Sequence, residues 1–166
     1  MAYDSRRGVA LLFNTKLWAW DGAKWAQRTS SVGPKDRTGT AVAYDAHRGR
    51  LVLFGGYADS SCLGDTWEWD GRTWTQIRPA VAPQARREHA MAYDSRRKRV
   101  VLFGGYASYK NAGDTWEWDG RRWTQHKPRH SPPARTGHAM AFDATRGRVV
   151  LFGGEESDGD IQDDTW

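Results

Sequence analysis

The sequence predicts an all-β fold, a propeller of four-stranded antiparallel blades, on three observations. First, blocks of residues return at a fixed interval. Ala43-Tyr44-Asp45 comes back as Ala92-Tyr93-Asp94 and again as Ala141-Phe142-Asp143. Each step is 49 residues, from 44 to 93 and from 93 to 142, a period that marks a repeat architecture. Second, each block holds short β-branched and aromatic runs parted by glycines and Asp-Gly turns, and no segment shows helical apolar spacing over a useful length. Third, the 166 residues include ten tryptophans and 18 glycines. Every tryptophan falls on one of two repeat features: a Trp-x-Trp (Trp18/Trp20, Trp67/Trp69, Trp116/Trp118, begun again by Trp166) or a later single Trp (Trp25, Trp74, Trp123). A residue type confined to repeat positions reads as a packing device.

The third copy shows how each block becomes a blade. Ala90 to Tyr93 is a first strand, and the polar run Asp94 to Lys98 is a turn. Arg99-Val100-Val101-Leu102-Phe103 is a β-branched and aromatic second strand. Gly104-Gly105 is expected to end it, as Gly55-Gly56 and Gly153-Gly154 do in their copies, and a variable polar loop follows. Thr115-Trp116-Glu117-Trp118 alternates as a third strand, with both indoles on one face. Asp119-Gly120 signals a hairpin, and Trp123-Thr124-Gln125 is the fourth strand. Pro128, Pro132 and Pro133 mark the exit. A sheet of this kind cannot bury both faces alone, so neighbours must stack on it.

The expected blades are approximately 1–36, 37–85, 86–134 and 135–166, the last one incomplete and lacking its fourth strand, in a single propeller domain or fragment. The first copy is degenerate: Asn14-Thr15 stands where Gly-Gly is expected, and a shortened loop follows. Met1 takes the place of Met91 within a first strand, and Trp166 falls within a third. The expectation is therefore a piece of a larger ring, against a closed four-bladed ring or two chains completing one.

The order Arg-x-Gly-His, strand, Gly-Gly, Trp, second Trp resembles the kelch repeat. Arg135-Thr136-Gly137-His138 and Arg86-Arg87-Glu88-His89 match its start, and Arg37-Thr38-Gly39-Thr40 matches with Thr for His. The resemblance spans essentially the whole chain and is similar in detail to uncharacterised bacterial kelch proteins and to galactose-oxidase-like central domains. Trp69-Asp70 and Trp118-Asp119 would also suit a WD-type propeller, but that family has a shorter period and lacks the paired glycines. The kelch resemblance implies rings of six or seven blades. It also implies arginines and loops looking out over the mouth of a central channel, and a secreted or cell-surface setting as one option.

Chemistry-bearing patterns are sparse. The loop rim collects the candidate ligand-binding residues: Arg37, Arg86, Arg87 and Arg135 before the first strands, and Tyr57, Tyr106 and Tyr109 after the glycines. Tyrosine beside arginine suits a carboxylate-bearing peptide or a sugar. The competing reading pairs these arginines with Glu68 and Glu117 between blades. The structural repeat set is Gly55, Gly56, Gly104, Gly105, Gly153, Gly154, Trp67, Trp69, Trp74, Trp116, Trp118 and Trp123. His89 and His138 recur in register and read as bonded to strand backbone. No metal-ligand spacing, Gly-x-Ser-x-Gly, phosphate loop or HExxH is present. No catalytic residue, metal site or cofactor is expected. Glu155 to Asp160 reads as a solvated loop before a weak calcium site.

Net charge is +5, but arginines and aspartates mix in the turns without exposed aromatics, so no nucleic acid is expected. No apolar run is long enough for a membrane span, and no signal peptide is visible at the N-terminus; localisation is left open. The single Cys62 excludes an internal disulfide. The leading expectation is a non-catalytic interaction module that binds a protein, peptide or glycan through its loop face, with a homo-oligomer or missing blades completing the ring. The alternatives are a fragment of a secreted carbohydrate-active or oxidase-like enzyme whose catalytic residues lie outside these residues, and a purely structural spacer.

Overall fold

The computed structural model describes residues 1–166. It contains no helix and forms four antiparallel blades in chain order. Blade 1 holds β1 (Ala2–Asp4), β2 (Val9–Phe13), β3 (Leu17–Trp20) and β4 (Trp25–Arg28). Blade 2 holds β5 (Ala41–Asp45), β6 (Arg50–Ala58), β7 (Ser61–Trp69) and β8 (Trp74–Ile77). Blade 3 holds β9 (Ala90–Asp94), β10 (Arg99–Phe103), β13 (Thr115–Trp118) and β14 (Trp123–His126), with a small outlying hairpin, β11 (Tyr106–Ala107) and β12 (Lys110–Asn111). Blade 4 holds β15 (Arg135–Thr136), β16 (Ala139–Asp143), β17 (Arg148–Glu156) and β18 (Ile161–Thr165). The first strands β1, β5, β9 and β16 together line an apolar channel of about 470 Å³ at the centre of the array.

Alternation along the strands gives each blade two different apolar faces. One carries the phenylalanine of the second strand; the other carries the tryptophans. The phenylalanine face of blade 1 packs on the tryptophan face of blade 2, and that of blade 2 on the tryptophan face of blade 3. Leu11, Phe13 and Leu17 of blade 1 meet Leu51, Leu53, Trp67, Trp69 and Trp74 of blade 2. Ala43, Val52 and Phe54 of blade 2 meet Val100, Leu102, Trp116, Trp118 and Trp123 of blade 3. Phe13 lies edge-on to Trp74 at 5.9 Å, and Phe54 edge-on to Trp123 at 5.3 Å, the T-shaped arrangement aromatic pairs prefer. Two indole N–H groups cross the second junction: Trp118 Nε1 donates to Glu68 Oε1 (2.8 Å) and Trp123 Nε1 to Thr66 Oγ1 (3.0 Å).

The glycine pair does not end the second strand in blades 2 and 4, contrary to the sequence reading. β6 and β17 run through it, with a register shift between Phe54 and Gly56 and between Phe152 and Gly154. The pair is a bulge that bends the strand and carries it onward. Gly55 has φ +63°, and a Cβ there would lie 2.6 Å from the Arg86 carbonyl of the next blade. Glycine is therefore demanded twice, by conformation and by close approach. The extended hairpin closes on Asp59 and Ser60 in blade 2, and on Ser108 and Tyr109 in blade 3, all with positive φ.

One rim holds interlocking turns. Asp4, Asp45, Asp94 and Asp143 each pair with an arginine three residues on, Arg7, Arg48, Arg97 and Arg146, at 2.6–2.8 Å. Arg7 also donates to the Asp70 carbonyl of the next blade at 2.5 Å. These turns neutralise themselves and lace neighbouring blades together.

Candidate interaction site

The arginines named from the sequence fall into two groups. Arg37, Arg86 and Arg135 are buried, with 3, 1 and 0% exposure. Each grips an aspartate of its own blade through two nitrogens. Arg37 holds Asp65 at 2.5 and 2.9 Å, Arg86 holds Asp114 at 2.6 and 2.8 Å, and Arg135 holds Asp164. Each also donates to the carbonyl of the first repeat glycine: Gly55 (3.1 Å), Gly104 (2.9 Å) and Gly153 (3.0 Å). The repeat tryptophan completes the unit, as Trp67 Nε1 and Trp116 Nε1 both donate at 2.6 Å to the same aspartates. Burial pushes the Asp65 and Asp114 carboxyls up, but the bonds from arginine and indole outweigh it and hold both below the usual range.

These guanidiniums point into the bulge rather than over the channel mouth. Nor do they pair with Glu68 and Glu117, as the competing sequence reading expected. Glu68 takes Arg48 at 2.9 Å, and Glu117 takes Arg97 at 2.5 Å. The reason is position. Glu68 and Glu117 sit one residue before the ends of β7 and β13, on the phenylalanine face near the arginines of the turn rim, whereas Asp65 and Asp114 lie three residues earlier, beside the glycine pair.

Arg87 is the exception, and the structure gathers it with Tyr57, Tyr106 and Tyr109 around one cavity of about 440 Å³ between the hairpins of blades 2 and 3. Paired backbone bonds place it: Arg87 N donates to Tyr106 O (3.1 Å) and Tyr106 N to Arg87 O (2.8 Å). Thr38 and Tyr57 make the same pair one blade earlier, so the two tyrosines flank Arg87 from successive repeats. The guanidinium carbon lies 4.6 Å from the Tyr57 ring centroid and 5.1 Å from that of Tyr106, a double cation–π contact. Its Nε is buried without a hydrogen-bond partner, and Glu88 stands off at 3.6 Å. Arg87 is thus held in place by stacking with donor capacity unspent.

Two local strains surround it. Tyr109 sits at the hairpin tip with φ +64° and 95% exposure, a costly conformation for a bulky residue. Glu88 has φ +57° where the same position in blades 2 and 4 is glycine, Gly39 at +60° and Gly137 at +66°. The sequence reading named Arg87 and the three tyrosines but did not single out Glu88. Its signal was visible: Arg87-Glu88 replaces the Thr-Gly of the other two copies. Ser60, Ser61, Cys62, Gln84 and Ser108 also line the cavity; their polar types are ordinary for hairpin tips and gave no signal.

The histidines of the repeat are buried and lie edge-on to phenylalanine: His89 to Phe54 at 5.6 Å, His138 to Phe103 at 5.5 Å. Neither ring has a well-formed hydrogen bond, so the expected backbone bonding is not realised in full. Burial, with Arg86 and Arg135 nearby, pushes His89 down to about 3 and His138 to about 4, which keeps both neutral at pH 7. No three His, Cys, Asp or Glu side chains converge in a metal-ligating cluster, and no helix is long and apolar enough to cross a membrane.

Four-stranded blades around one axis, the bulged glycine pair and the buried arginine–aspartate–tryptophan unit define a kelch-type β-propeller. The family model described as the KLHDC2/KLHL20/DRC7 Kelch-repeats domain matches residues 5–166, and the chain belongs to that family. No curated protein matches it. Kelch propellers commonly serve as interaction modules, typically for proteins.

Proposed function

We propose that the chain is a non-catalytic interaction module whose recognition surface is the cavity between the blade 2 and blade 3 hairpins, and that it takes a carboxylate-bearing segment of a protein or peptide. The supporting observation is Arg87: a cation stacked between Tyr57 and Tyr106, whose nearest carboxylate, Glu88, lies 3.6 Å from its Nε, beyond hydrogen-bond distance. A carboxylate would accept from the fork of the guanidinium, while the exposed Tyr109 ring supplies amphipathic contact area of the kind that dominates binding hot spots. Arg37, Arg86 and Arg135 have no surface to offer a ligand and act here by shaping the bulges that carry the hairpins.

The test is binding of the 166-residue chain to an array of carboxylate-rich peptides and, in parallel, to a glycan array. Arg87→Ala and Tyr109→Ala are expected to weaken the peptide signal about tenfold or more while leaving the melting temperature near wild type. Binding that is confined to glycans, or peptide binding that survives both substitutions, overturns the reading.

A further inference from the structure

The outer edge of the blade 2–blade 3 junction is filled. Ile77 and Ala82 pack onto the core there, and the long hairpin of blade 2 runs past Arg86. The same register one blade earlier holds Arg28 for Ile77 and Gly33 for Ala82. The hairpin is also cut short: five positions separate Phe13 from Trp18, against thirteen from Phe54 to Trp67. A groove of about 280 Å³ results between blades 1 and 2, lined among others by Phe13, Thr15, Lys16, Leu17, Arg28 and Trp74. We propose that this groove takes an extended, acidic segment of a partner protein, laid along blade 2 where the hairpins of the other blades run.

Hydrogen-bonding groups along it stand without partners. Trp123 Nε1 crosses its junction to Thr66 Oγ1 at 3.0 Å. Trp74 is the same residue one blade earlier, but Leu17 stands where Thr66 does, so its indole N–H has lost that acceptor. Trp74 is only 7% exposed and lines the groove. A buried indole N–H ordinarily finds a partner.

The backbone of Arg37 is the second case. Arg86 N donates to the Leu63 carbonyl (3.0 Å) and Gly56 N donates to the Arg86 carbonyl (2.8 Å), both partners lying in the hairpin of the blade before. Arg135 makes the same pair with Ala112 (3.3 Å) and Gly105 (2.9 Å). Arg37 makes neither bond, because the short loop of blade 1 has no residue in the place of Leu63. Its guanidinium is spent on Asp65 and Gly55; its backbone is not. Arg37 lines a cavity of about 240 Å³ that shares Phe13 and Thr15 with the groove. Buried backbone groups are almost always paired, and an extended segment supplies both the missing acceptor and the missing donor, as in strand addition to a sheet edge.

The walls define the occupant. Lys16 and Arg28 line the groove and no carboxylate does. Lys16 is held by Asp36 at 2.9 Å, which leaves Arg28 and the Trp74 N–H as donors for an acidic side chain. The residue passing Arg37 must be small, since a Cβ on Gly55 would lie 2.6 Å from the Arg86 carbonyl at the equivalent point. The groove is built from β2, β3, β4, the linker after them and blade 2. It therefore lies between two four-stranded blades, where blades added at either end of the array do not reach. It shares no lining residue with the Arg87 cavity.

Fluorescence anisotropy tests this with labelled peptides of about eight residues, capped at both ends, each with a central glycine or alanine flanked by leucine and aspartate. The Arg87→Ala chain is used, so that the cavity between blades 2 and 3 does not contribute. Acidic peptides are expected to bind, less tightly as salt rises, and their asparagine versions about tenfold more weakly. N-methylation of the central residue removes the donor for the Arg37 carbonyl and is expected to cost about tenfold as well. Arg28→Ile and Gly33→Ala restore the blade 2 residues and fill the groove. Each is expected to abolish binding while the melting temperature stays at or above that of the parent. Arg28 is exposed, so its replacement reads binding even where a Cβ on Gly33, 3.2 Å from the Trp74 ring, disturbs the junction. Failure of every acidic peptide to bind, or binding that survives Arg28→Ile, overturns the proposal. Equal binding of the asparagine versions overturns the acidic occupant, and indifference to N-methylation overturns the strand pairing.

Discussion

Replacing Arg86 with methionine keeps the apolar stem and removes the guanidinium. Four bonds go with it: 2.6 and 2.8 Å to Asp114, 2.9 Å to the Gly104 carbonyl and 3.0 Å to the Gln84 carbonyl. Removing one partner of a buried ion pair costs about 3–5 kcal/mol, chiefly because the other charge stays behind. The Asp114 side chain is 26% exposed and keeps its bond from Trp116, so water repays part of the loss and the low end applies, about 3 kcal/mol. For a chain of this length each kcal/mol moves the melting temperature by about 2–4 °C, which gives a fall of about 6–12 °C. Thermal denaturation at pH 7 followed by near-ultraviolet circular dichroism reads this directly. The double variant Arg86→Met/Asp114→Asn removes the stranded charge yet keeps an acceptor for the indole, and is expected to recover about half of the loss. A single variant melting within about 2 °C of wild type would refute the assignment of Arg86 to the fold, as the bonds counted here would then contribute nothing net.

Two further outcomes follow from the same geometry. His89 and His138 are held neutral by burial, at about 3 and about 4, while an unfolded histidine titrates near 6.5. Their folded values are depressed, so the stability they permit is complete above about pH 6.5 and is lost as pH falls toward the folded values, by about 2 kcal/mol each between pH 6.5 and 5. Melting temperature should therefore drop over that interval, and His89→Gln/His138→Gln should flatten the profile; an equally steep profile in the double variant counts against the buried neutral rings. Glu88→Gly restores the residue that the left-handed position favours and should stabilise the chain by about 1 kcal/mol, while shifting Arg87 and weakening peptide binding. Unchanged or lower stability in chemical denaturation would show that the Glu88 conformation carries no strain.

The blades were legible because their cause is periodic. A tryptophan or a Gly-Gly pair that must meet the same neighbour in each blade has to recur at the same spacing, and spacing is what a sequence displays. The path of the chain through Gly55-Gly56 was not legible, since a glycine pair reads equally as a strand end or as a bulge. Only the Arg86 carbonyl pressing on Gly55 from the next blade decides it. The partners of Arg37, Arg86 and Arg135 were missed for a related reason. Asp65 and Asp114 recur as regularly as Glu68 and Glu117, and sequence period alone does not say which carboxylate lies at which rim. The gathering of Arg87 with Tyr57, Tyr106 and Tyr109 was half visible: the residue types suggested binding, but the stacking of one cation between tyrosines of successive repeats depends on the blade-to-blade rotation.

Repetition and departure from it therefore carry different information in this chain. Arg37, Arg86 and Arg135 are held by the same constraint three times, a bulge carbonyl and an aspartate to satisfy, and a position so constrained is unavailable for recognition. The next residue along is free of that constraint, and it varies: Thr38, Arg87, Thr136. The hairpin tips vary as well, Asp59-Ser60 against Ser108-Tyr109. The unrepeated arginine, the unrepeated left-handed Glu88 and the strained Tyr109 all fall at the rim between blades 2 and 3. Strain of this kind costs about 1–3 kcal/mol per residue and persists only where the surroundings enforce it, here two fully packed blades on either side. The departures of Arg87, Glu88 and Tyr109 from the repeat, on the rigid scaffold the repeat provides, are the physical basis for proposing recognition there rather than at the three repeated arginines.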